Sequence, residues 1–226
     1  MPLAPGVHFL RPTLPVHVFE ASDPGPTVLI QAGIHGDEVA GVHALFETLE
    51  EQILPHRGRL LVCPVMNPPA YRARARTRPD GLDLNRCFPG DAHAPDPEHR
   101  LARRFMDLVE DERPVLVTTL HESHKRYDPT VVPSFGQTIV YGVQPTPPIV
   151  GATIDRLNAE CKGDDETWAA LHYPVATSST EVIVDAIGCV GLCIETWMGF
   201  PEARRIQMQR RVVELLLEHT GLRRPV

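Results

Sequence analysis

The chain is predicted to be an α/β protein built in layers. Two observations carry this. Short apolar runs with strand character alternate with segments of helical spacing, and long polar connections follow several of the strands. Connections of that kind put a functional site at the carboxyl ends of the strands.

In chain order, residues 16–19 and 27–31 read as strands separated by the turn residues Asp23-Pro24-Gly25-Pro26. Beyond Gly33, the residues Val39, Val42, Leu45, Phe46, Leu49 and Ile53 recur at helical spacing. Residues 60–64 make a short strand of the buried type. A stretch rich in Arg, Pro, Asp and Gly then runs from 67 to 97, and a connection that long in a compact domain is functional or disordered. Asp96-Pro97-Glu98 is a helix start, followed by Leu101, Phe105, Leu108 and Val109. Residues 115–120 and 138–141 read as strands, 149–161 as a helix, 190–194 as a strand and 201–219 as an amphipathic closing helix. No internal repeat or linker interrupts the pattern, so one domain is expected.

Composition narrows the function classes. The 226 residues are 42% hydrophobic and 23% charged, enough for a domain that buries roughly 70% of its unfolded surface and too apolar for wholesale disorder. No apolar run approaches the ~18 residues of a membrane span. The start, Met1-Pro2-Leu3-Ala4-Pro5, lacks the basic-then-apolar order of a signal peptide. A soluble cytoplasmic protein is therefore expected. A net charge of −7 argues against nucleic acid as a partner. Cys63, Cys87, Cys161, Cys189 and Cys193 are odd in number and form no CxxC pair, so reduced buried thiols are expected rather than a disulfide framework or thiolate zinc site.

The most informative segment is Gln31-Ala32-Gly33-Ile34-His35-Gly36-Asp37-Glu38, where a strand gives way to a helix. His35 and Glu38, three apart, fall on one side of the turn and can occupy two coordination positions of a zinc ion, with Gly33 and Gly36 permitting the turn. Either residue could instead cap the helix or face solvent. His121, at the end of the strand 115–120, is the candidate third ligand. Together they make a His₂Glu set, the donor set of a catalytic rather than a structural zinc. His43, His93, His99, His172 and His219 have no comparable partner in the sequence, and His124 is at best a neighbour of the site.

The ordered set Gly33-Ile34-His35-Gly36-Asp37-Glu38, Asn67-Pro68-Pro69-Ala70, Asp83-Leu84-Asn85-Arg86-Cys87-Phe88-Pro89-Gly90, Leu120-His121-Glu122 and Ile194-Glu195 resembles the zinc carboxypeptidase superfamily. The Asn-Pro-Pro-Ala and Asn-Arg-x-Phe-Pro-Gly pieces resemble most its succinylglutamate desuccinylase/aspartoacylase branch. The resemblance implies a single three-layer domain with a mixed, largely parallel central sheet flanked by helices. It also implies one Zn2+ per chain, held by His35, Glu38 and His121, and a small-molecule or short-peptide substrate with a free carboxylate. Glu195, ending a strand, would be the general base and later proton donor; Glu122 is the rival carboxylate, but a neighbour on an extended segment points away. Asn85 and Arg86 would hold the substrate carboxylate. Arg78 is the better match for the arginine that polarises the scissile carbonyl, with Arg76 close behind, and Asp83 would orient the loop. Tyr173 matches a substrate-capping tyrosine, and a partly buried loop aromatic is the alternative. Glu181 and Asp185 fall in a stretch that lines the side-chain pocket in carboxypeptidases, where an acid would favour a basic side chain.

Members of the branch carry a further C-terminal β-rich domain, whereas residues 196–226 read as one helix and its lead-in. The expectation is a single hydrolase domain over 1–226 with a more open site, which favours a peptide-like substrate. Cleavage of the metallocarboxypeptidase type is thus expected, with N-acyl amino acid deacylation as the alternative. A catalytically inactive zinc-containing binding protein is the alternative of another class. A nucleic-acid module on Arg72, Arg74, Arg76, Arg78 and Arg86 lacks an aromatic platform, and neither GxSxG nor GxxxxGK[ST] occurs.

Overall fold

A computed structural model describes residues 1–11, 14–51, 54–161 and 163–224. Its strands are β1 (Gly6–Arg11), β2 (Leu14–Glu20), β3 (Thr27–Ala32), β4 (Arg59–Cys63), β5 (Leu116–Ser123), β6 (Thr138–Tyr141), β7 (Ala169–His172) and β8 (Val190–Trp197). The helices are α1 (Ala40–Glu50), α2 (Pro68–Ala73), α3 (Pro97–Glu112), α4 (Pro148–Glu160), α5 (Ser179–Ile187) and α6 (Glu202–His219). Among the described residues these eight strands form one sheet in the order β1-β2-β4-β3-β5-β8-β6-β7. The centre, β4-β3-β5-β8, is parallel, and antiparallel pairing enters at β1/β2, β2/β4 and β6/β8. This is the mixed, largely parallel sheet expected.

Successive side chains of a strand face opposite ways, and here both faces are covered. Val28, Ile30, Leu60, Val62, Leu116 and Leu120 join the core beneath α1, α4 and α6. Their strand neighbours Leu29, Leu61 and Val117 join a second core with Phe105 and Val109 of α3 and Ile183 of α5. Parallel strands buried on both faces read as near-continuous apolar runs, which is how residues 27–31 and 60–64 appear in the sequence.

Several elements depart from expectation. The stretch 67–97 contains α2, capped by Asn67 Oδ1 accepting the Ala70 N–H at 3.3 Å, and a 3-10 turn at Leu84–Arg86. Strands β1 and β7 and helix α5 were not expected. The helix after Gly33 ends at Glu50, and Ile53 lies outside the described residues. Cys63 and Cys87 are buried thiols, but Cys161, Cys189 and Cys193 are only half-buried, which corrects the expectation for those three. Among the described residues, no helix is long and apolar enough to cross a membrane.

Candidate functional site

The parallel centre of the sheet delivers the site. Strand β3 ends at Ala32, and the turn that follows carries His35 and Glu38 into α1. Gly33 adopts φ +66°, and Gly36 lies so close to α2 that a Cβ there would fall 2.0 Å from the Ala70 carbonyl carbon. Only glycine fits that approach. Strand β5 supplies His121, and its parallel register with β8 pairs His121 with Glu195.

His35, Glu38 and His121 are buried and converge, with one donor atom of each lying within 4.8 Å of the others. His35 Nδ1 lies 2.7 Å from Glu38 Oε1, and His121 Nδ1 lies 2.6 Å from Glu38 Oε2. On the far side of its ring, His35 Nε2 donates to Asp83 Oδ1 at 3.1 Å. A carboxylate only accepts, so that bond fixes the ring and turns Nδ1 toward the cluster. Burial opposes a charged imidazole, yet Glu38 and the bonds to Asp83 and Glu38 outweigh it and hold the His35 pKa up at about 9. Burial likewise opposes the Glu38 carboxylate, but the two histidines keep it well below the usual range. Two imidazoles and one carboxylate are a donor set that could hold a metal ion, and zinc suits it.

Glu195 lines the same cavity. Among the described residues its Oε2 is buried without a hydrogen-bond partner, and its Oε1 meets only the Cys193 thiol, at 3.7 Å. Burial, reinforced by the charge of Glu38, pushes its pKa well above the ordinary carboxylate value. Glu122 has a different surrounding. Its Oε2 accepts the Ala40 N–H at 2.9 Å, and its Oε1 takes a bond from Thr196 at 3.4 Å and pairs with Arg205. Its carboxyl is thus held by Ala40, Thr196 and Arg205, although Glu122 also lies along the cavity wall and does not simply point away from it.

The two arginines are placed in the reverse of the expected preference. Arg78 is paired with Glu98 at 2.5 Å and is not part of the cavity lining. Arg76 lines the cavity, with Nη1 3.5 Å from His35 Nδ1 and 3.9 Å from Glu38 Oε1, and its Nη2 bonds Asp83 Oδ2 at 2.8 Å. Asp83 therefore does more than orient the loop, because it joins His35, Arg76 and the Asn85 N–H. Asn85 Oδ1 accepts the Ser179 N–H at 2.9 Å, and no described residue engages its Nδ2. Arg86 is exposed at the cavity, and Tyr173 lines it with its ring edge-on to Phe135, centroids 5.2 Å apart. Glu181 also lines the cavity, whereas Asp185 does not. The cavity measures about 580 Å³, within the range of small-ligand sites.

Sequence reasoning passed over Cys193 and the Arg205 and Gln209 side chains behind the site. Cys193 had a usable signal: two residues from Glu195 on a strand, it must share its face. Arg205 and Gln209 had none, since nothing in a closing helix announces which side chains reach the ends of the central strands.

Fold and donor set together define the class, an α/β protein with a His₂Glu cluster that could hold a metal at the ends of its central parallel strands. More narrowly, residues 24–127 match the Succinylglutamate desuccinylase/Aspartoacylase catalytic domain, the branch that the motifs resemble. An 81-residue stretch is 44% identical to the N-alpha-acetyl-L-2,4-diaminobutyric acid deacetylase of Halomonas elongata, covering 34% of this chain and 23% of that protein. The product-bound cell shape determinant protein Csd4 of Helicobacter pylori matches 93% of this chain and 56% of its own, with a TM-score of 0.82 and 20% identity. Its mDAP-bound form is described as a D,L-carboxypeptidase. The succinylglutamate desuccinylase/aspartoacylase of Rhodobacter sphaeroides matches 94% of this chain and 60% of its own, with a TM-score of 0.71 and 24% identity. The chain thus spans about a quarter of the curated relative and little more than half of these solved structures.

Proposed function

We propose that the chain is a zinc-dependent hydrolase that cleaves an amide bond next to a free carboxylate. The observation that carries this reading is the meeting of His35, Glu38 and His121 with Glu195 and Arg76 in one cavity. A zinc ion held by the three would supply Lewis acidity toward a water and the scissile carbonyl. The rest falls to the protein. Glu195, whose pKa is raised by burial, takes a proton from the attacking water and returns it to the departing amine nitrogen, so that one water is consumed and one C–N bond broken. Arg76 faces the negative charge that develops on the carbonyl oxygen. The Asn85 amide and the Arg86 guanidinium anchor the substrate carboxylate, and Tyr173 forms part of the wall.

Two substrate readings share this anchor, because the C-terminal residue of a peptide is itself an N-acylated amino acid. Metallocarboxypeptidase-type cleavage is the first. N-acyl amino acid deacylation is the second, and the sequence match to a deacetylase of N-α-acetyl-L-2,4-diaminobutyric acid favours it. Glu181 bears on both. Its carboxyl rests against Gly142, and among the described residues no hydrogen bond or ion pair reaches its oxygens. Burial, with Asp185 nearby, pushes its pKa up. A substrate side chain ending in an ammonium group would relieve that carboxylate.

The test is a zinc-replete activity screen of N-acyl amino acids against short peptides with free C-termini, each with neutral and ammonium-bearing side chains. Turnover confined to one set chooses the reading, and Glu181→Gln should erase a preference for ammonium side chains. Equal turnover of C-terminally blocked substrates would reject the whole class. So would unchanged activity in Glu195→Gln with zinc bound stoichiometrically, which is the behaviour of an inactive zinc-binding protein.

A further inference from the structure

Behind the cavity, helix α6 reaches through to the backbone that carries the metal-binding side chains. Arg205 and Gln209 lie one turn apart on α6. Gln209 is wholly buried, and its Nε2 donates to the His121 carbonyl at 2.7 Å and to Thr196 Oγ1 at 2.8 Å. Arg205 has its Nε held by the Phe200 carbonyl at 3.0 Å and its Nη1 paired with Glu122 Oε1.

Glu122 in turn joins both halves of the cluster. Its carboxyl accepts the N–H of Ala40, the first residue of α1 and two beyond Glu38. Its own backbone N–H donates to Glu38 Oε2 at 3.1 Å. Glycine at position 41 lets these parts meet, since a Cβ there would fall 2.6 Å from Leu120 Cβ and 2.7 Å from Gln209 Oε1. Strand β5, the start of α1 and helix α6 are therefore in contact at one point, directly behind His121 and Glu38.

We infer that Arg205 and Gln209 are positioning residues of the metal cluster, acting through Glu122 and the His121 carbonyl to set the spacing of His121 and Glu38. Neither lines the cavity, so neither touches substrate. Groups that orient metal ligands from behind typically contribute 10–100-fold to metal affinity. Loss of Arg205 leaves Glu122 as a buried carboxylate without its cation. Loss of Gln209 leaves the His121 carbonyl without this donor. Either change frees the ligands to drift apart. The inference rests on the metal reading above.

The experiment is zinc affinity, by competition with a chromophoric chelator, for the wild type, Arg205→Met, Arg205→Lys, Gln209→Leu and Arg210→Met. The thermal midpoint of the metal-free proteins and the visible spectrum of their cobalt forms are recorded alongside. Arg210 is on the same helix but pairs with Glu47 and Glu51 at the surface, so it serves as the control. We expect zinc affinity to fall about 10–100-fold in Arg205→Met and Gln209→Leu, with an altered cobalt spectrum, most of the loss restored in Arg205→Lys, and no loss in Arg210→Met. If both variants melt earlier without metal yet bind zinc as tightly as the wild type, the role is structural only and the inference is overturned. Should Arg205→Met fail to fold, Gln209→Leu decides alone. A wild type that binds no zinc overturns the metal reading, and this inference with it.

Discussion

Glu195 and Glu122 lie one strand position out of register on neighbouring strands, yet their surroundings differ sharply. Glu122 is held by a backbone N–H, a hydroxyl and a guanidinium, and such a carboxylate is fixed. Among the described residues Glu195 has one weak thiol contact and one oxygen without a partner, and a carboxylate so placed is suited to passing a proton on the proposed reading. Glu195→Gln should lower kcat by about 10²–10⁴ while zinc content, read by mass spectrometry of the metal, stays stoichiometric. The two arginines make the second residue-scale contrast. Arg76→Ala should depress kcat/KM strongly. Arg78→Ala should instead lower the thermal midpoint, because it strands the buried Glu98, and change kcat little. His35, Glu38, His121 and Glu195 were legible as candidates because each sits near a strand end or in the turn just after one, within an ordered motif. The choice between Arg76 and Arg78 was not. Both lie on an irregular loop, and their directions depend on partners, Asp83 for Arg76 and Glu98 for Arg78, that the loop's path rather than any local period brings near.

Helix α5 shows what a single element can hide. Ser178 caps it, its Oγ accepting the Glu181 N–H at 3.2 Å, and Gly188 closes it in a left-handed conformation. Ser178 with Glu181 three residues on, then Ile183, Val184, Ile187 and Gly188, is a start-and-stop signal that was readable in the sequence. Its brevity, nine residues, obscures it. The opposite case is α3, expected from Asp96-Pro97-Glu98 and found at Pro97–Glu112. Its Phe105 is fully buried and meets Phe88 edge-on, centroids 6.3 Å apart. Phe105→Ala should cost about 3–5 kcal/mol in urea unfolding. That substitution also loosens the Phe88 end of the loop bearing Asn85 and Arg86, so KM should rise in the surviving folded fraction.

At the scale of the molecule, the alternation of strand and helix was enough to expect an α/β layered fold, since apolar runs and helical periods are local properties. The sheet order was not readable, because which strands pair is decided by contacts far apart in sequence, such as β5 with β8. The edge strands β1 and β7 escaped notice for a related reason, as only one neighbour supports each and their patterns are weak. A pH dependence also belongs to the whole structure. Burial pushes the Cys87 and Cys189 thiols up to about 11 from an ordinary value of 9. Their folded-state pKa is raised, so their contribution to stability is complete below pH 9 and is lost as pH climbs toward 11. The thermal midpoint should therefore decline over that interval, and less steeply in Cys189→Ala. A flat profile would show that these thiols do not couple to unfolding.

The bond from the Ser179 N–H to Asn85 Oδ1 has a consequence for recognition. It ties the loop that would grip a carboxylate to the helix that presents Glu181, so the two jaws of the cavity form a gauge with a preset gap. On the proposed reading such a gauge would sort substrates by reach: an ammonium one methylene too short or too long would miss its mark while still fitting the volume. Asn85→Ala would unfasten the jaws, and the sharp dependence of KM on side-chain length should flatten along with the weaker hold on the carboxylate.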